Sequence, residues 1–472
     1  MTAAHPTTAG ERPCRVVFLI QRAESWINVH GLWRLMCRDE RFVADVRVIP
    51  YDDDAERLTQ KRRACIDHLH SVGVSIVEEP SGSPAPLEPG EFDVAIFNAP
   101  YDRERIATFH FDRVAASVAL TVYVPYGMVM GSGRRNRHYQ YAQPTQRDAN
   151  LIVARSEMER EMYARYCPSG ADHVAVTGLP RLDELHDIES FKADPELRNA
   201  VAGRFAVLWN AHFSFGLSYA ADARYSTFDV LAKPLFELAA AKPDIALIWR
   251  PHPSLFRTLV DDGILSPKEL DTFREEVRGA GVILDERSDH RHAFAVSNML
   301  LTDLGSFLVE YLATSKPLVY LHASDGEGLN EEGASLASYI DTARTAPDAI
   351  ELINVYAGGA DPRSLSRRLA RERFLPMFDG HAADRVADRI LASLCAADNA
   401  HTATPLLRKV FESLAQIGET RRHRRLHWPT LRRLTRLLRL EVAEWIKRHP
   451  MLLRMTQQVG HHLKSMRKPP RA

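Results

Sequence analysis

Residues 298–321, NMLLTDLGSFLVEYLATSKPLVYL, carry the pattern that decides the fold. The apolar run 299–302 predicts a strand, residues 303–306 are typical of a turn, and residues 307–312 place apolar side chains at helical spacing. A Lys-Pro pair then ends the helix, and the apolar run 318–321 predicts a second strand. This order is one unit of a parallel α/β sheet.

The turn of this unit is a candidate phosphate site. Loops that follow strands of a parallel sheet face a crevice, where free N–H groups and a helix start favour phosphate. Gly305 would let a ligand approach the backbone, and Ser306 is suited to cap the helix. Taken alone, this stretch is better explained as an ordinary strand-to-helix turn without a ligand than as a phosphate site. The upstream sequence Trp249-Arg250-Pro251-His252-Pro253, which also follows a predicted strand, strengthens the phosphate interpretation.

Length and composition indicate a soluble globular protein of two or three domains. The chain has 472 residues, of which 45% are hydrophobic and 26% charged. Its five cysteines are scattered without a CxxC pair, which favours a reducing cytoplasm and excludes a thiolate metal site. Residues 1–14 are predicted to be disordered, and the apolar run 16–20 is too short for a signal peptide.

Strand and helix patterns alternate along residues 15–396 and predict parallel sheets covered by helices. We place an N-terminal domain at residues 15–190 and a C-terminal domain at residues 203–396. Predicted strands lie at residues 16–20, 43–49, 74–77, 92–97, 120–124, 151–153, 174–176, 205–209, 245–249, 282–284, 299–302 and 318–321. Predicted helices include residues 29–37, 55–70, 157–166, 231–241, 267–277, 290–296, 348–356 and 382–394.

Residues 401–472 differ in composition from the rest of the chain. They contain 17 Lys or Arg against 4 Glu and no Asp, although the whole chain is formally neutral. Apolar residues recur there at helical spacing with arginines around them, and Trp428 stands between two such runs. This pattern predicts a basic amphipathic helical tail for an anionic membrane surface, whereas packing on the acidic body is the alternative. No base-reading fold accompanies the charge, so nucleic acid is not expected.

Four motifs occur in a recognisable order. They are GLPRLDEL at 178–185, RPHP at 250–253, TDLGSFLVEYLATSKPLVYL at 302–321 and FDGHAADR at 378–385. With them the chain resembles the CDP-glycerol glycerophosphotransferase family of teichoic-acid-type polymerases and primases, over about residues 90–395. The resemblance implies the GT-B architecture, two Rossmann-like domains that face each other across a cleft, here with a basic C-terminal extension.

The resemblance also implies roles for particular residues. His252 would contact the donor's phosphates, and Arg250 is suited to add a charged donor. The phosphate-binding set is His252 with Arg250, Asp303, Gly305 and Ser306; the nucleoside-binding set is Glu310 with Pro180 and Arg181. The alternatives are a packed His252, an Arg250 paired with a surface acid, and a Glu310 on the solvent side of its helix. We expect no metal and no cofactor.

The acceptor side departs from the family. Where the family carries an HGTPLK-like motif with a base histidine, this chain has Tyr126 and no lysine. A phenol with a pKa near 10 is a poor base at neutral pH, so we expect His212, which follows the first strand of the second domain, to replace it. A half-buried loop histidine is the alternative for His212, and His30, His110 and His138 are weaker candidates.

Two charged stretches also have competing interpretations. Arg134, Arg135 and Arg137 are predicted to form a basic, aromatic loop that grips an anionic acceptor, or else a solvated charge run. The acids at 52–54 are expected to cap a helix and not to bind a metal.

The favoured function is transfer of a polyol phosphate from a CDP-activated donor to a cell-surface polymer or lipid-linked acceptor. A GT-B glycosyltransferase that uses a nucleotide sugar for capsule or cell-wall polysaccharide is the first alternative. A 2-epimerase-like enzyme, which would share the Gly-x-Pro turn at 178–180, and a non-catalytic binding protein remain open. We expect the protein in the cytoplasm, peripheral on the inner face of the plasma membrane.

Overall fold

The computed structural model describes residues 12–76, 84–216, 219 and 223–400, with side chains up to residue 395. The predicted tail at 401–472 and the first eleven residues of the segment 1–14, which the sequence predicts to be disordered, lie outside the described residues; Cys14 of that segment is the first residue of a strand.

The first half of the chain builds a six-stranded parallel sheet. Its strands are β1 (Cys14–Ile20), β2 (Phe42–Val48), β3 (Val94–Phe97), β4 (Leu120–Tyr123), β5 (Leu151–Ala154) and β6 (Val174–Val176). They are ordered β2-β1-β3-β4-β5-β6. Alternate residues of β1 enter different cores, since Phe18 packs in one hydrophobic cluster and Leu19 in another. Both faces of the sheet are therefore covered, as the near-continuous apolar strands require.

Eight α-helices precede the second sheet along the described residues, and the last of them packs on a helix of the second half. They are α1 (His30–Met36), α2 (Ala55–Ser71), α3 (Phe111–Ala115), α4 (Arg134–Tyr141), α5 (Pro144–Asp148), α6 (Glu157–Tyr166), α7 (Pro180–Asp183) and α8 (Pro195–Val201). Asp54 accepts a 2.8 Å hydrogen bond from the Arg57 N–H and caps α2, which confirms the capping interpretation of the acids at 52–54.

The second half repeats the architecture. Its strands are β7 (Phe205–Asn210), β8 (Ile245–Trp249), β9 (Ile283–Leu284), β10 (Met299–Thr302), β11 (Leu318–Leu321) and β12 (Asp341–Ala343), ordered β12-β11-β10-β7-β8-β9. Its helices are α9 (Phe228–Ala241), α10 (Leu255–Asp261), α11 (Glu269–Gly279), α12 (Arg291–Val296), α13 (Phe307–Glu310), α14 (Glu331–Ala337), α15 (Ala346–Ala357), α16 (Ser364–Phe374) and α17 (Ala382–Ala400). Two parallel sheets covered by helices confirm the predicted α/β fold class.

Two local predictions are wrong. Residues 74–76 form no strand, although Val74 is buried, because their apolar side chains fill the core beneath the end of α2. Residues 134–141 form helix α4 and not a loop. Gly133, with φ +98°, supplies the left-handed conformation from which that helix starts.

The two halves make direct polar contacts. The Asn330 N–H donates to the Met130 carbonyl at 2.7 Å, and the Ser132 N–H donates to the Gly328 carbonyl at 2.9 Å. Nearby, buried Arg155 of the first half pairs with buried Glu332 of the second. These contacts fix the register of the two halves at one end of the cleft.

Helix α17 returns to the first half of the chain. Both carboxylate oxygens of Asp183 accept N–H groups at its start, from Ala382 at 3.0 Å and Ala383 at 2.8 Å. Gly178, with φ +78°, lies so close that an added Cβ would stand 3.0 Å from the Ala382 Cβ. The motifs at 178–185 and 378–385 are therefore two sides of one contact.

No helix among the described residues is long and apolar enough to cross a membrane.

Candidate active site

Three neighbouring strands of the second sheet end at the same edge. In the order β10-β7-β8, they are followed by the loops that carry Asp303, His212 and His252. This is the carboxyl edge at which open α/β sheets bind ligands. The structure therefore brings together three residues that the sequence separates widely.

Asp303 is fully buried and holds the loop after β7. One of its oxygens accepts the His212 N–H at 2.7 Å, and the other accepts the Thr227 N–H at 3.1 Å and the Thr227 hydroxyl at 2.6 Å. Burial raises the pKa of Asp303 to about 7. With both oxygens engaged, Asp303 positions the loop that carries His212, and its role as a phosphate ligand stays a prediction.

The imidazoles of His212 and His252 lie side by side, with ring centroids 5.1 Å apart. In His252, Nδ1 accepts the Ser254 N–H at 3.0 Å. In His212, Nδ1 accepts the Ser214 N–H at 3.2 Å and lies 2.8 Å from the Ser214 hydroxyl. Because Nδ1 is an acceptor in both rings, Nε2 carries the proton in both.

Both imidazoles are neutral at physiological pH. Burial, followed by the charges of Arg22 and Arg257, lowers the pKa of His252 to about 3. Burial, followed by the neighbouring His252, holds the pKa of His212 well below its usual value. The two rings thus offer N–H donors. This opposes the expected base role of His212, since its Nδ1 is occupied and its Nε2 already holds a proton.

Arg250 does not reach into the site. Its guanidinium donates to the buried carboxylate of Asp285 at 2.6 Å and to the Arg287 carbonyl at 2.6 Å. Arg250 thereby holds the loop that carries His252. Its partner is a buried acid and not the surface acid of the alternative interpretation, and the phosphate role of Arg250 stays a prediction.

The turn after β10 leaves room for a ligand. An added Cβ at Gly305 would meet no atom within 4 Å. Among the described residues, the backbone N–H groups of Gly305, Ser306 and Phe307 have no hydrogen-bond acceptor. Ser306 makes no side-chain cap on α13, contrary to the prediction. Its hydroxyl instead accepts the Met128 N–H of the first half at 3.0 Å, so the cleft is closed at this point.

Tyr126 lies at the facing edge of the first sheet. Its hydroxyl is 3.1 Å from that of Tyr101. Burial raises the pKa of Tyr126 above its usual value, so the phenolate that could accept a proton is still scarcer at neutral pH than the sequence predicts.

Glu310 is buried completely, so the alternative that placed it in solvent is wrong. Its carboxylate lies 2.7 Å from the guanidinium of Arg181 and 3.0 Å from Nε2 of His290, both outside ideal hydrogen-bond geometry. Burial opposes ionisation, but Arg181 and His290 outweigh it and hold the pKa of Glu310 at about 2. Pro180 is the first residue of α7, and the next residue, Arg181, therefore faces Glu310 of the second half. The predicted nucleoside contact by these residues stays a prediction, because it requires the Arg181–Glu310 pair to open.

The three arginines of α4 do not act as one group. Arg135 lies over the ring of Tyr139 at 5.8 Å, whereas Arg137 lies over Tyr166 at 4.7 Å. Arg134 is exposed at the start of the helix. Their shared role in acceptor binding stays a prediction.

Sequence reasoning missed three residues of the site. Arg22 follows β1, and its charge lowers the pKa of His252 across the cleft. Ser214 sets the tautomer of His212, and Thr227 donates hydrogen bonds to Asp303. Only Arg22 gave a usable signal, since it stands at the carboxyl end of a predicted strand.

Among the described residues, no group of three or more His, Cys, Asp or Glu is placed to hold a metal ion.

A family comparison decides the classification. Residues 127–392 match the model of the CDP-glycerol:poly(glycerophosphate) glycerophosphotransferase family. This chain belongs to that family. The match covers more than half of the chain and begins directly after Tyr126, at the place where the family histidine is missing. The predicted recognition and the predicted transferase class are confirmed. No curated protein matches the chain.

Solved structures with similar folds include two epimerases and a polymerase. A UDP-N-acetylglucosamine 2-epimerase is 15% identical, with 81% of this chain and 96% of that one covered and a TM-score of 0.52. The UDP-GlcNAc 2-epimerase of Neisseria meningitidis, bound to UDP-GlcNAc, is 13% identical, with 80% and 100% covered and a TM-score of 0.51. A variant of the wall teichoic acid polymerase TagF is 11% identical, with 82% and 90% covered and a TM-score of 0.49.

Proposed function

We propose that this family member transfers a polyol phosphate from a CDP-activated polyol to a hydroxyl group of an anionic polymer or a lipid-linked acceptor. The observation that supports this most is the pair of neutral imidazoles, His212 and His252, beside the open turn at Gly305. Several N–H donors are found there, and both oxygens of the nearby Asp303 carboxylate are engaged by His212 and Thr227. A site rich in N–H donors suits a diphosphate.

In the proposed reaction, the acceptor hydroxyl oxygen attacks the β-phosphorus of the donor. The new oxygen–phosphorus bond forms as the bridging bond to the α-phosphate breaks, and CMP leaves with the bonding electrons. Negative charge grows on the oxygens of the leaving CMP. The Nε2–H groups of His212 and His252 and the free N–H groups at Gly305–Phe307 would stabilise that charge.

A strong base is not required for this chemistry. Phosphoryl transfer passes through a loose transition state in which the nucleophile is deprotonated late, so positioning and charge stabilisation dominate. The acceptor proton would pass to water or buffer. This accounts for a functional site in which Tyr126 replaces the family histidine and His212 holds its own proton.

The donor is tested by incubating the protein with CDP-glycerol, CDP-ribitol and UDP-sugars in the presence of a polyol-phosphate acceptor. We expect CMP to be released from a CDP-polyol. Release of UDP with a glycosylated acceptor, or no product from any donor, would contradict the proposal.

We further propose that residues 401–472 hold the enzyme at an anionic membrane. The support is their composition alone, 17 Lys or Arg interleaved with apolar residues and Trp428. Such an anchor would keep the cleft close to a lipid-linked acceptor.

A further inference from the structure

Arginines and tyrosines gather at the carboxyl edge of the first sheet, facing the donor side of the cleft. Tyr101 contacts Tyr126 by hydroxyl groups 3.1 Å apart and Tyr139 by rings 6.1 Å apart. The guanidinium of Arg103 stands 5.4 Å from the ring of Tyr101 and 5.1 Å from that of Tyr139. With Arg22, these four residues form what we call the arginine–tyrosine cluster.

Among the described residues, one carboxylate directly contacts the two arginines of the cluster, while Glu24 acts on Arg22 through its charge without forming an ion pair with it. Glu104 contacts the guanidinium of Arg22 directly and stands 3.9 Å from that of Arg103. One carboxylate is therefore shared by two arginines. The Arg22 side chain is 50% exposed and that of Arg103 is 64% exposed, so an anion can reach both.

The cluster borders the proposed donor-phosphate site. Tyr126 belongs to it and is followed two residues later by Met128, whose N–H donates to Ser306 of the second half at 3.0 Å. The charge of Arg22 also acts on His252. The cluster and the donor turn are thus two walls of one cleft, on opposite sides of the reacting atoms.

We propose that the arginine–tyrosine cluster binds a phosphodiester group of the acceptor, with Arg22 and Arg103 as its cationic ligands. This inference rests on the proposed function and names the residues that select an anionic acceptor. A planar guanidinium donates two parallel hydrogen bonds to a phosphate, and the ring beneath Arg103 holds it in place. Binding the phosphodiester next to the terminal polyol would direct that polyol's hydroxyl toward the donor.

This assignment differs from the three arginines predicted from the sequence. Arg137 contacts Tyr166 instead of the cluster. Arg135 touches the cluster through Tyr139, whose pKa is lowered by a hydrogen bond from Arg135 and by the charge of Arg103. The cationic ligands therefore come mainly from the loops after β1 and β3.

The test is direct binding of a soluble oligo(glycerol phosphate) to the full-length protein, measured by isothermal titration calorimetry without donor. Loss of a charge-assisted hydrogen bond predicts that Arg103→Gln and Arg22→Gln each weaken binding about tenfold. The control is Arg63→Gln on α2, whose side chain is 78% exposed and pairs with Asp67 outside the cluster. We expect the control to bind as the wild type does, and CDP binding to be unchanged in Arg103→Gln.

Three results would overturn the proposal: no binding of the oligomer by the wild type, equal binding by the wild type and Arg103→Gln, or the same loss in Arg63→Gln. Vesicles of phosphatidylglycerol distinguish a lipid headgroup as the source of the phosphate. If Arg103→Gln weakens vesicle binding while the oligomer does not bind, the acceptor assignment is wrong. A wild type that binds the oligomer but turns over no CDP-polyol would reject the proposed function and leave this site standing.

Discussion

Replacing Arg181 by glutamine would leave Glu310, in a fully buried position, with His290 as its one remaining ion-pair partner among the described residues. The pKa of Glu310 is about 2 against a usual 4.5, and this difference corresponds to about 3 kcal/mol of stability at neutral pH. Arg181 is the largest favourable contribution to it. We therefore expect Arg181→Gln to destabilise the protein by about 3 kcal/mol, within the range found when one partner of a buried pair is removed.

Equilibrium urea unfolding, followed by the fluorescence of the tryptophans, measures this loss. The double variant Arg181→Gln with Glu310→Gln removes both charges, so it should be more stable than Arg181→Gln alone. The folded-state pKa of Glu310 is depressed, so its contribution is complete above pH 4.5 and is lost as the pH falls toward 2. This reasoning would be refuted if Arg181→Gln lowered the free energy of unfolding by less than about 1 kcal/mol. It would also be refuted if the loss in the double variant equalled the sum of the losses in the two single variants.

Three further outcomes follow from the site and from the sequence. First, kcat/KM should stay flat between pH 5.5 and pH 4.5, because Asp303 is already protonated there and His212 and His252 are neutral; a tenfold fall per pH unit would indicate an imidazole base. Second, Tyr126→Phe should lower kcat less than His212→Ala, since the phenol is too weakly acidic to act as a base, and the reverse order would require a catalytic tyrosine. Third, the full-length protein should co-sediment with vesicles containing anionic lipid in a salt-sensitive way, while a chain of residues 1–400 stays in the supernatant; equal behaviour of the two would contradict the membrane role of the tail.

The fold was predictable because the apolar runs of both sheets are short, β-rich and separated by helical spacing. The strand at 299–302 and the strand at 318–321 appear with the predicted bounds, as β10 and β11. The run at 74–77 failed because buried apolar residues can fill a core without pairing in a sheet. Residues 134–141 failed because their many polar side chains concealed helix α4.

The site was predictable only to the level of which loops meet. His252 and the turn at Gly305 lie at one edge as expected, because strand ends converge in a parallel sheet. The detailed roles depend on partners distant in sequence. Asp303 is bound by Thr227, and Arg250 is paired with Asp285, so a phosphate contact by either residue stays a prediction.

The most direct test of the central claim is release of CMP from CDP-glycerol, with a polyol-phosphate acceptor, by the wild type and by His252→Ala. Removing a donor that stabilises the leaving group predicts a fall in kcat of about 100-fold or more. His186→Ala, which deletes an exposed imidazole beside Asp187, serves as the control and should retain the wild-type rate. A folded His252→Ala protein that releases CMP at the wild-type rate would contradict the account.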